Sequence, residues 1–448
     1  MNTETFDTVI VGSGSSAYFA AQVLTQAGQK IAMVDERPYG GTCALRGCQP
    51  KKYLVANVDA VAMACHLVGQ GIIERPQTDW KALQKLKNEF LDGLSEEAQA
   101  GFEKWGVKTY LGSARMTGAH TIEVNEQRLE GEHIILATGS APRPMSIPGA
   151  DLAGTSDDFL NLADLPERMV FIGGGYISME FATVAAYAGV QVTLLHRSKQ
   201  ILKNFDQDCV SVLLDAAKEI GINIVTEESP EMIEKTASGY VLKGSSGKEY
   251  ETDYIINATG RIPNTSVLSK GKNHNVDFDG RGIKVKPTLQ SVSNPAVYSI
   301  GDVADSGYQL APVADHEGKL AASNLLAGNP QEIDYRIVPS TVFTIPNLAT
   351  VGLSEEEVKA KNILYRVNRG STAGWPSSKR IGEKHSFYKV IIEEGTNRIL
   401  GAHLVRHLAS ELINLFALAI AQEVTTEAMQ KMMWAYPTYS SDIKYMIK

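Results

Sequence analysis

Twice in this chain a short β-branched strand runs into a glycine-rich turn, a helix of small residues and a second strand. The first copy is Thr8-Val9-Ile10-Val11, the turn Gly12-Ser13-Gly14-Ser15-Ser16-Ala17, an alanine-rich stretch to Ala27, then Gly28 and a strand from Lys30 to Val34 that closes on Asp35. The second is Met169 to Ile172, Gly173-Gly174-Gly175, a helical stretch to Ala188, Gly189, and the strand Gln191 to Leu195. A strand that must re-enter the same sheet in parallel needs a helical crossover, so each copy predicts a βαβ unit and the chain an α/β fold. Two such units imply two nucleotides, or one nucleotide domain duplicated.

In the first unit Gly12 and Gly14 let the backbone turn sharply and approach a pyrophosphate. Ala17 permits close helix–strand packing, and the helix N-terminus offers N–H groups and a positive dipole. Asp35 stands where an acid can hold a ribose hydroxyl. In the second unit that acid is missing. The strand ends in His196-Arg197-Ser198-Lys199, with Lys203 beyond. A cationic cluster suits a 2′-phosphate where a carboxylate suits a free 2′-hydroxyl, so the expectation is NADPH rather than NADH, against a merely solvated basic loop.

The 448 residues suffice for two to four domains with real cores, and 44 % apolar content excludes long disorder. A net charge of -8 gives no support to nucleic-acid or polybasic membrane binding. The longest apolar stretch near the C-terminus, Leu412 to Ala421, is interrupted by Asn414 and is far shorter than the ~20 residues of a spanning helix. The N-terminal residues lack a basic region and a small-residue cleavage site, so a soluble, cytoplasmic protein is expected. Prolines 142, 144, 148 and 263 lie just beyond two further apolar strands, each running into Ala-Thr-Gly, and mark crossings between domains. After about Asp334 the pattern changes to short strands followed by a helix, an α+β terminal domain.

Four cysteines cannot make a disulfide framework, and they fit a reducing compartment. Cys43 and Cys48, in GGTCALRGCQPKK (40–52), are separated by four residues and would share a helix start. They can close a small exchange-competent disulfide ring, with Lys51 stabilising a thiolate, or remain a pair of buried thiols. Zinc needs four ligands, and no second Cys-x-x-Cys or His-rich partner is present; no metal site is expected. Cys65 and Cys209 read as packing residues.

GGTCALRGCQPKK, GGGYISME (173–180), the two Ala-Thr-Gly segments and SIGDVA (299–304) resemble the class I pyridine nucleotide–disulfide oxidoreductases, the family of glutathione reductase, dihydrolipoamide dehydrogenase and mercuric reductase. The resemblance runs from Thr5 to about Asp442 and implies a glutathione reductase-like fold of two Rossmann-like domains plus an α+β dimerisation domain. The implied boundaries are 1–146 and 263–333 for the FAD domain, 147–262 for the NAD(P)H domain and 334–448 for the interface domain. It further implies FAD and NADPH as cofactors and a homodimer whose active site is completed by the partner's C-terminal segment. Cys48 would be the flavin-proximal thiol and Cys43 the interchange thiol that meets a small-molecule acceptor. Lys51 would sit near flavin N5 paired with Glu180, and Tyr176 would cover the flavin. Gly41, Thr42, Thr138, Gly139, Asp302 and Ala311 would join Gly12, Gly14, Ala17 and Asp35 on FAD. Gly173, Gly175, Ile177, Glu180 and Gly260 would join His196, Arg197 and Lys203 on NADPH.

One segment departs from the family pattern. Such enzymes close with a His-Pro-Thr-x-x-Glu type segment, whereas this chain reads Tyr436-Pro437-Thr438-Tyr439-Ser440-Ser441-Asp442. Tyrosine titrates near 10, so Tyr436 can donate a proton but is a poor base. Loss of such a base typically removes roughly 10²–10⁴ from the rate. Mercuric reductases carry a tyrosine there, together with a C-terminal cysteine pair that is absent here. His403 and His407 read as structural strand-edge histidines; His316, after the Asp302 motif, is better placed to lie near the flavin but has no assigned role. The expectation is an NADPH oxidoreductase acting through Cys43 and Cys48 on a small disulfide-like or electrophilic acceptor. The alternatives are a mercuric reductase-like or quinone or metal reductase acting from the flavin, and a slow-turnover flavin redox sensor.

Overall fold

A computed structural model describes residues 3–448. The chain divides into two compact units. One comprises the chain up to Lys52 with Lys85–Arg143 and Gly260–Asp334; the other comprises Tyr53–Gln84, Pro144–Thr259 and Tyr335–Lys448. The passages at 143–144 and 259–260 fall beside the prolines that flank the two Ala-Thr-Gly segments.

The first unit is built on a parallel sheet in the order Lys108–Leu111, Ile31–Asp35, Thr3–Val11, Gln127–Leu136. Val9, Ile10 and Val11 are all buried, as a strand covered on both faces requires, and for that reason the run is apolar rather than alternating. The long strand Gln127–Leu136 divides its far edge. Its first residues pair antiparallel with Thr121–Val124, and its last three pair parallel with Val297–Ser299. On one face the helices Ser15–Gln26 and Ala311–Ala327 pack through Ala17, Ala20, Ala21, Leu24, Ala321 and Leu325. They meet at backbone distance, since a Cβ at Gly318 would lie 2.2 Å from the Ser16 carbonyl oxygen.

The second unit holds a four-stranded parallel sheet in the order Asn223–Thr226, Gln191–His196, Arg168–Ile172, Tyr254–Asn257. Its crossover helix Tyr176–Tyr187 is buried at every residue from Ser178 to Tyr187, consistent with a sequence that is apolar or small apart from Glu180 and Thr183. The C-terminal layer of the same unit is an antiparallel five-stranded sheet, Ser340–Val342, Asn347–Gly352, Ile399–Arg406, Phe387–Glu393, Tyr365–Ser371. The helix Ala409–Ala421 covers it with Leu412, Ile413, Phe416 and Ala419. The two dinucleotide-type sheets and the α+β layer are the architecture that the sequence pattern predicts. Among the described residues no helix is long and apolar enough to cross a membrane.

Candidate active site

The first glycine turn is fixed by sterics. Gly12 has φ +110°, and a Cβ there would stand 2.1 Å from the Ala137 carbonyl oxygen, so only glycine fits. Gly14 caps the 12-residue helix Ser15–Gln26 in an extended conformation with no side-chain cap, and the first N–H groups of that helix are left for an external acceptor. Ala17 is fully buried beneath it. Asp35 accepts the Ser13 amide at 2.8 Å and the Ser13 hydroxyl at 2.6 Å on one oxygen, and the Arg37 amide at 2.9 Å on the other. The uncapped helix end and the close-fitting glycine cradle suit a pyrophosphate.

Gly41 closes on the same turn. At φ +70° its own Cβ would be 2.4 Å from the Gly14 Cα, so the segment carrying Cys43 lies directly against the nucleotide loop with no side chain between. The two cysteines do not share a helix start, contrary to expectation. Thr42 and Cys43 lie in the five-residue helix Gly41–Leu45, and Cys48 opens the helix Cys48–His66. The break falls at Arg46 and Gly47, where a side chain at Gly47 would stand 3.0 Å from the Thr42 carbonyl oxygen. Cys43 is half-buried and hydrogen-bonds to Cys48. That bond, burial, and the nearby charges of Cys48 and Asp315 push the Cys43 thiol far up from its ordinary value, with Lys51 opposing them.

Asp302 sits in the turn Gly301–Val303 and accepts the Ser140 hydroxyl at 2.7 Å. Ser140 in turn takes Arg261 Nε on its hydroxyl at 2.8 Å and Arg261 Nη2 on its carbonyl at 2.6 Å. Burial raises the Asp302 carboxyl above its usual range, and Ser140 and Arg261 oppose that rise. Thr138 donates to the Asn264 carbonyl at 2.6 Å, Gly139 turns at φ +66°, and Ala311 starts the helix Ala311–Ala327. The sequence reading named Asp302 but missed the Ser140–Arg261 support, 162 and 41 residues away along the chain. His316, to which the sequence assigns no role, is exposed, and its neighbour Asp315 has its Oδ1 buried.

In the second unit Gly173 repeats the steric logic of Gly12, with φ +129° and a hypothetical Cβ 2.1 Å from the Ala258 carbonyl oxygen. Gly175 caps the helix Tyr176–Tyr187 without a side-chain cap. Tyr176 is exposed, Ile177 half-buried, and Glu180 buried, accepting the Phe343 amide at 2.8 Å. Arg197, Lys199 and Lys203 are exposed beyond the strand. His196 does not belong with them as a cation. Its ring packs where a Gly174 side chain would be, and burial lowers its pKa below the ordinary histidine value. Gly260 falls in the first unit, where its carbonyl accepts the Arg143 amide at 2.9 Å.

Tyr436 is 72 % exposed. The carboxylate that follows it in sequence faces elsewhere: Asp442 accepts Arg406 Nη2 at 2.8 Å and the Ser377 hydroxyl at 2.6 Å, all three buried. Ser441 donates to the Thr438 carbonyl at 2.6 Å and so closes the turn. His403 is buried on its strand against the Thr350 hydroxyl, a structural role. Among the described residues no group of three or more His, Cys, Asp or Glu side chains is placed to hold a metal ion.

Residues 6–318 match the pyridine nucleotide-disulphide oxidoreductase family and residues 338–447 match its dimerisation domain. This chain belongs to that family. It is 32 % identical to the dihydrolipoyl dehydrogenase of Chlamydia trachomatis over 445 residues, covering 97 % of this chain and 94 % of that one. It is 29 % identical to the glutathione reductase of Burkholderia cepacia, covering 98 % and 97 %. It is 30 % identical to the mercuric reductase of Staphylococcus aureus, covering 98 % and 81 %. The HOCl-induced flavoprotein disulfide reductase RclA of Escherichia coli, solved as a Cu(II) complex, shares the fold with a TM-score of 0.89 at 24 % identity, over 99 % of each chain. As a member of the family the chain is an FAD-dependent, NAD(P)H-linked oxidoreductase with a dimerisation domain.

Proposed function

We infer that this protein is an NADPH-dependent reductase that passes electrons through a Cys43–Cys48 redox pair to a small disulfide-like or electrophilic acceptor. The observation that carries this reading is the position of the two hydrogen-bonded thiols, pressed by the Gly41–Gly14 contact against a pyrophosphate-type turn. Bound FAD supplies the two-electron relay between nicotinamide and cysteines. Gly12, Gly14, Ala17 and Asp35, with Gly41, Thr42, Thr138, Gly139, Asp302 and Ala311, would hold it. The residue assignment for the dinucleotide is Gly173, Gly175, Tyr176, Ile177 and Glu180, with Arg197 and Lys203 on a 2′-phosphate; His196, kept neutral by burial, shapes the turn instead. Exposed cations beyond a strand that lacks a terminal carboxylate support NADPH over NADH.

In the exchange step Cys43 attacks the acceptor and Cys48 then attacks Cys43, closing the disulfide and releasing the reduced product. The reading assigns residues 1–146 and 263–333 to FAD, 147–262 to NADPH and 334–448 to pairing of two copies, with Tyr436 presented to the partner's site. Thiols that must cycle through reduction support a cytoplasmic location. Cys43→Ser tests the route: flavin bleaching by NADPH survives and acceptor reduction is lost. Undiminished acceptor turnover in that variant would mean electrons leave directly from the flavin.

A further inference from the structure

Three helix starts converge in the first unit. The Gly14–Gly41 contact joins the first turn of Ser15–Gln26 to the helix that carries Cys43. The Gly318–Ser16 contact joins that same first turn to the helix Ala311–Ala327. Asp315 lies three residues before Gly318, so it occupies the same helix face, one turn closer to the N-terminus. Its carboxyl accepts a hydrogen bond from the Ser15 side chain, and its Oδ1 is buried with no hydrogen-bond partner. A buried carboxylate oxygen without a donor is costly unless something protic reaches it.

We propose that Asp315 carries the proton of the Cys43 thiol during exchange, the acid–base role that Tyr436 is poorly suited to fill. The inference rests on the thiol route proposed above. The charged and titratable groups that face this pair are Cys48 and Lys51 at Cys43, and Lys319 at Asp315, with the Ser15 hydroxyl between helices. A carboxylate and a thiolate in one cluster cannot both be charged cheaply, so the two groups hold one proton between them. Burial raises the Asp315 carboxyl, which brings its proton affinity closer to that of a thiol; the Ser15 hydroxyl and Lys319 oppose the rise.

The step balances without an outside acid. The Cys43 thiol gives its proton to Asp315 as its sulfur attacks a disulfide R–S–S–R′. A Cys43–S–R bond forms, the S–S bond breaks, and the departing R′S⁻ takes the proton back from Asp315 as R′SH. Cys48 then displaces RS⁻ from Cys43, re-forming the protein disulfide, and RS⁻ leaves with the Cys48 proton by the same carboxylate. Two thiol protons and two electrons leave the protein in two product thiols.

The test uses the NADPH-reduced holoenzyme. Alkylation of Cys43 by iodoacetamide is followed by peptide mass, and turnover of hydroxyethyl disulfide is measured across pH 5–9. In Asp315→Asn the charge that opposes the thiolate is gone, so alkylation at pH 7 should rise about tenfold while turnover falls by at least about tenfold. Asp315→Glu should restore both. A structural defect would lower turnover without accelerating alkylation, and that result overturns the proposal; so does unchanged alkylation. Should Asp315→Asn fail to fold, Ser15→Ala removes only the donor to the carboxylate. It shifts the shared proton toward Asp315 and should speed alkylation in the same sense, by less; slower or unchanged alkylation again overturns the proposal. Alkylation needs no acceptor, so it reads the Asp315–Cys43 coupling even if Cys43→Ser shows that electrons leave from the flavin.

Discussion

Asp442→Asn should be among the most destabilising single-atom changes available in this chain. Arg406 has no exposed surface, and Asp442 supplies its counter-charge at 2.8 Å, with Ser377 bridging both. Two further guanidinium nitrogens, Nε and Nη1, are buried without acceptors, and the Tyr439 ring lies 5.5 Å from the guanidinium. Removing the carboxylate charge leaves a desolvated cation without its hydrogen-bonded counter-charge, with Glu383 only a nearby charge, and breaking a buried pair in this way costs about 3–5 kcal/mol. Asparagine keeps one acceptor oxygen, so the Asn variant belongs near the lower end, about 3 kcal/mol, and Asp442→Ala near the upper. The double change Arg406→Met with Asp442→Leu removes both charges and roughly conserves volume. It should recover most of the loss, because the intact pair has already offset much of its own desolvation cost.

Urea unfolding at fixed protein concentration measures all three. Trp375 and Trp434 pack in the same C-terminal layer as Tyr439, so their fluorescence reports the region that is perturbed. An Asp442→Asn cost below about 1 kcal/mol, or a double variant as unstable as the single one, would show that the pair is effectively solvated and would refute the reasoning.

Gly12→Ala cannot be accommodated at φ +110° against the Ala137 carbonyl, so the purified variant should lack the visible flavin spectrum; full flavin content would contradict the cradle. Arg197→Ala with Lys203→Ala should raise KM for NADPH by about tenfold or more and leave NADH unchanged, as read in initial rates, because only a 2′-phosphate engages those cations. Burial lowers the pKa of His403, so the folded protein keeps it neutral while the unfolded chain takes up a proton below pH ~6.5. Its contribution is therefore complete above that pH and is lost as pH falls toward the folded value, at up to about 1.4 kcal/mol per pH unit. Urea midpoints at pH 7, 6 and 5 should fall less steeply in His403→Gln than in the native chain, and parallel slopes would exclude the effect.

Features fixed by local spacing could be read from the sequence. The glycine turns, their helices and the strand-end Asp35 lie within about one βαβ unit, although the carbonyls that exclude a side chain at Gly12 and Gly173 come from Ala137 and Ala258, far along the chain. What could not be read depends on chain segments far apart. Ser140 and Arg261 reach Asp302 only because the far edge of Gln127–Leu136 accepts the strand Val297–Ser299. Asp315 was obscured by its neighbour: consecutive helical residues point about 100° apart, so His316 is exposed while the aspartate beside it has its Oδ1 buried.

The C-terminal departure has the same geometric origin. Ser440–Asp442 form a 3₁₀ turn, in which successive side chains point about 120° apart. Moving the acid by one position, with Ser441 where the family pattern has Glu, swings the carboxylate away from the segment's Tyr436 and into the core onto Arg406. One shift thus strengthens the anchor of the segment and leaves the tyrosine without a carboxylate partner from its own turn. On the proposed thiol route, an enzyme so altered needs its proton carrier on the cysteine side, the role proposed for Asp315.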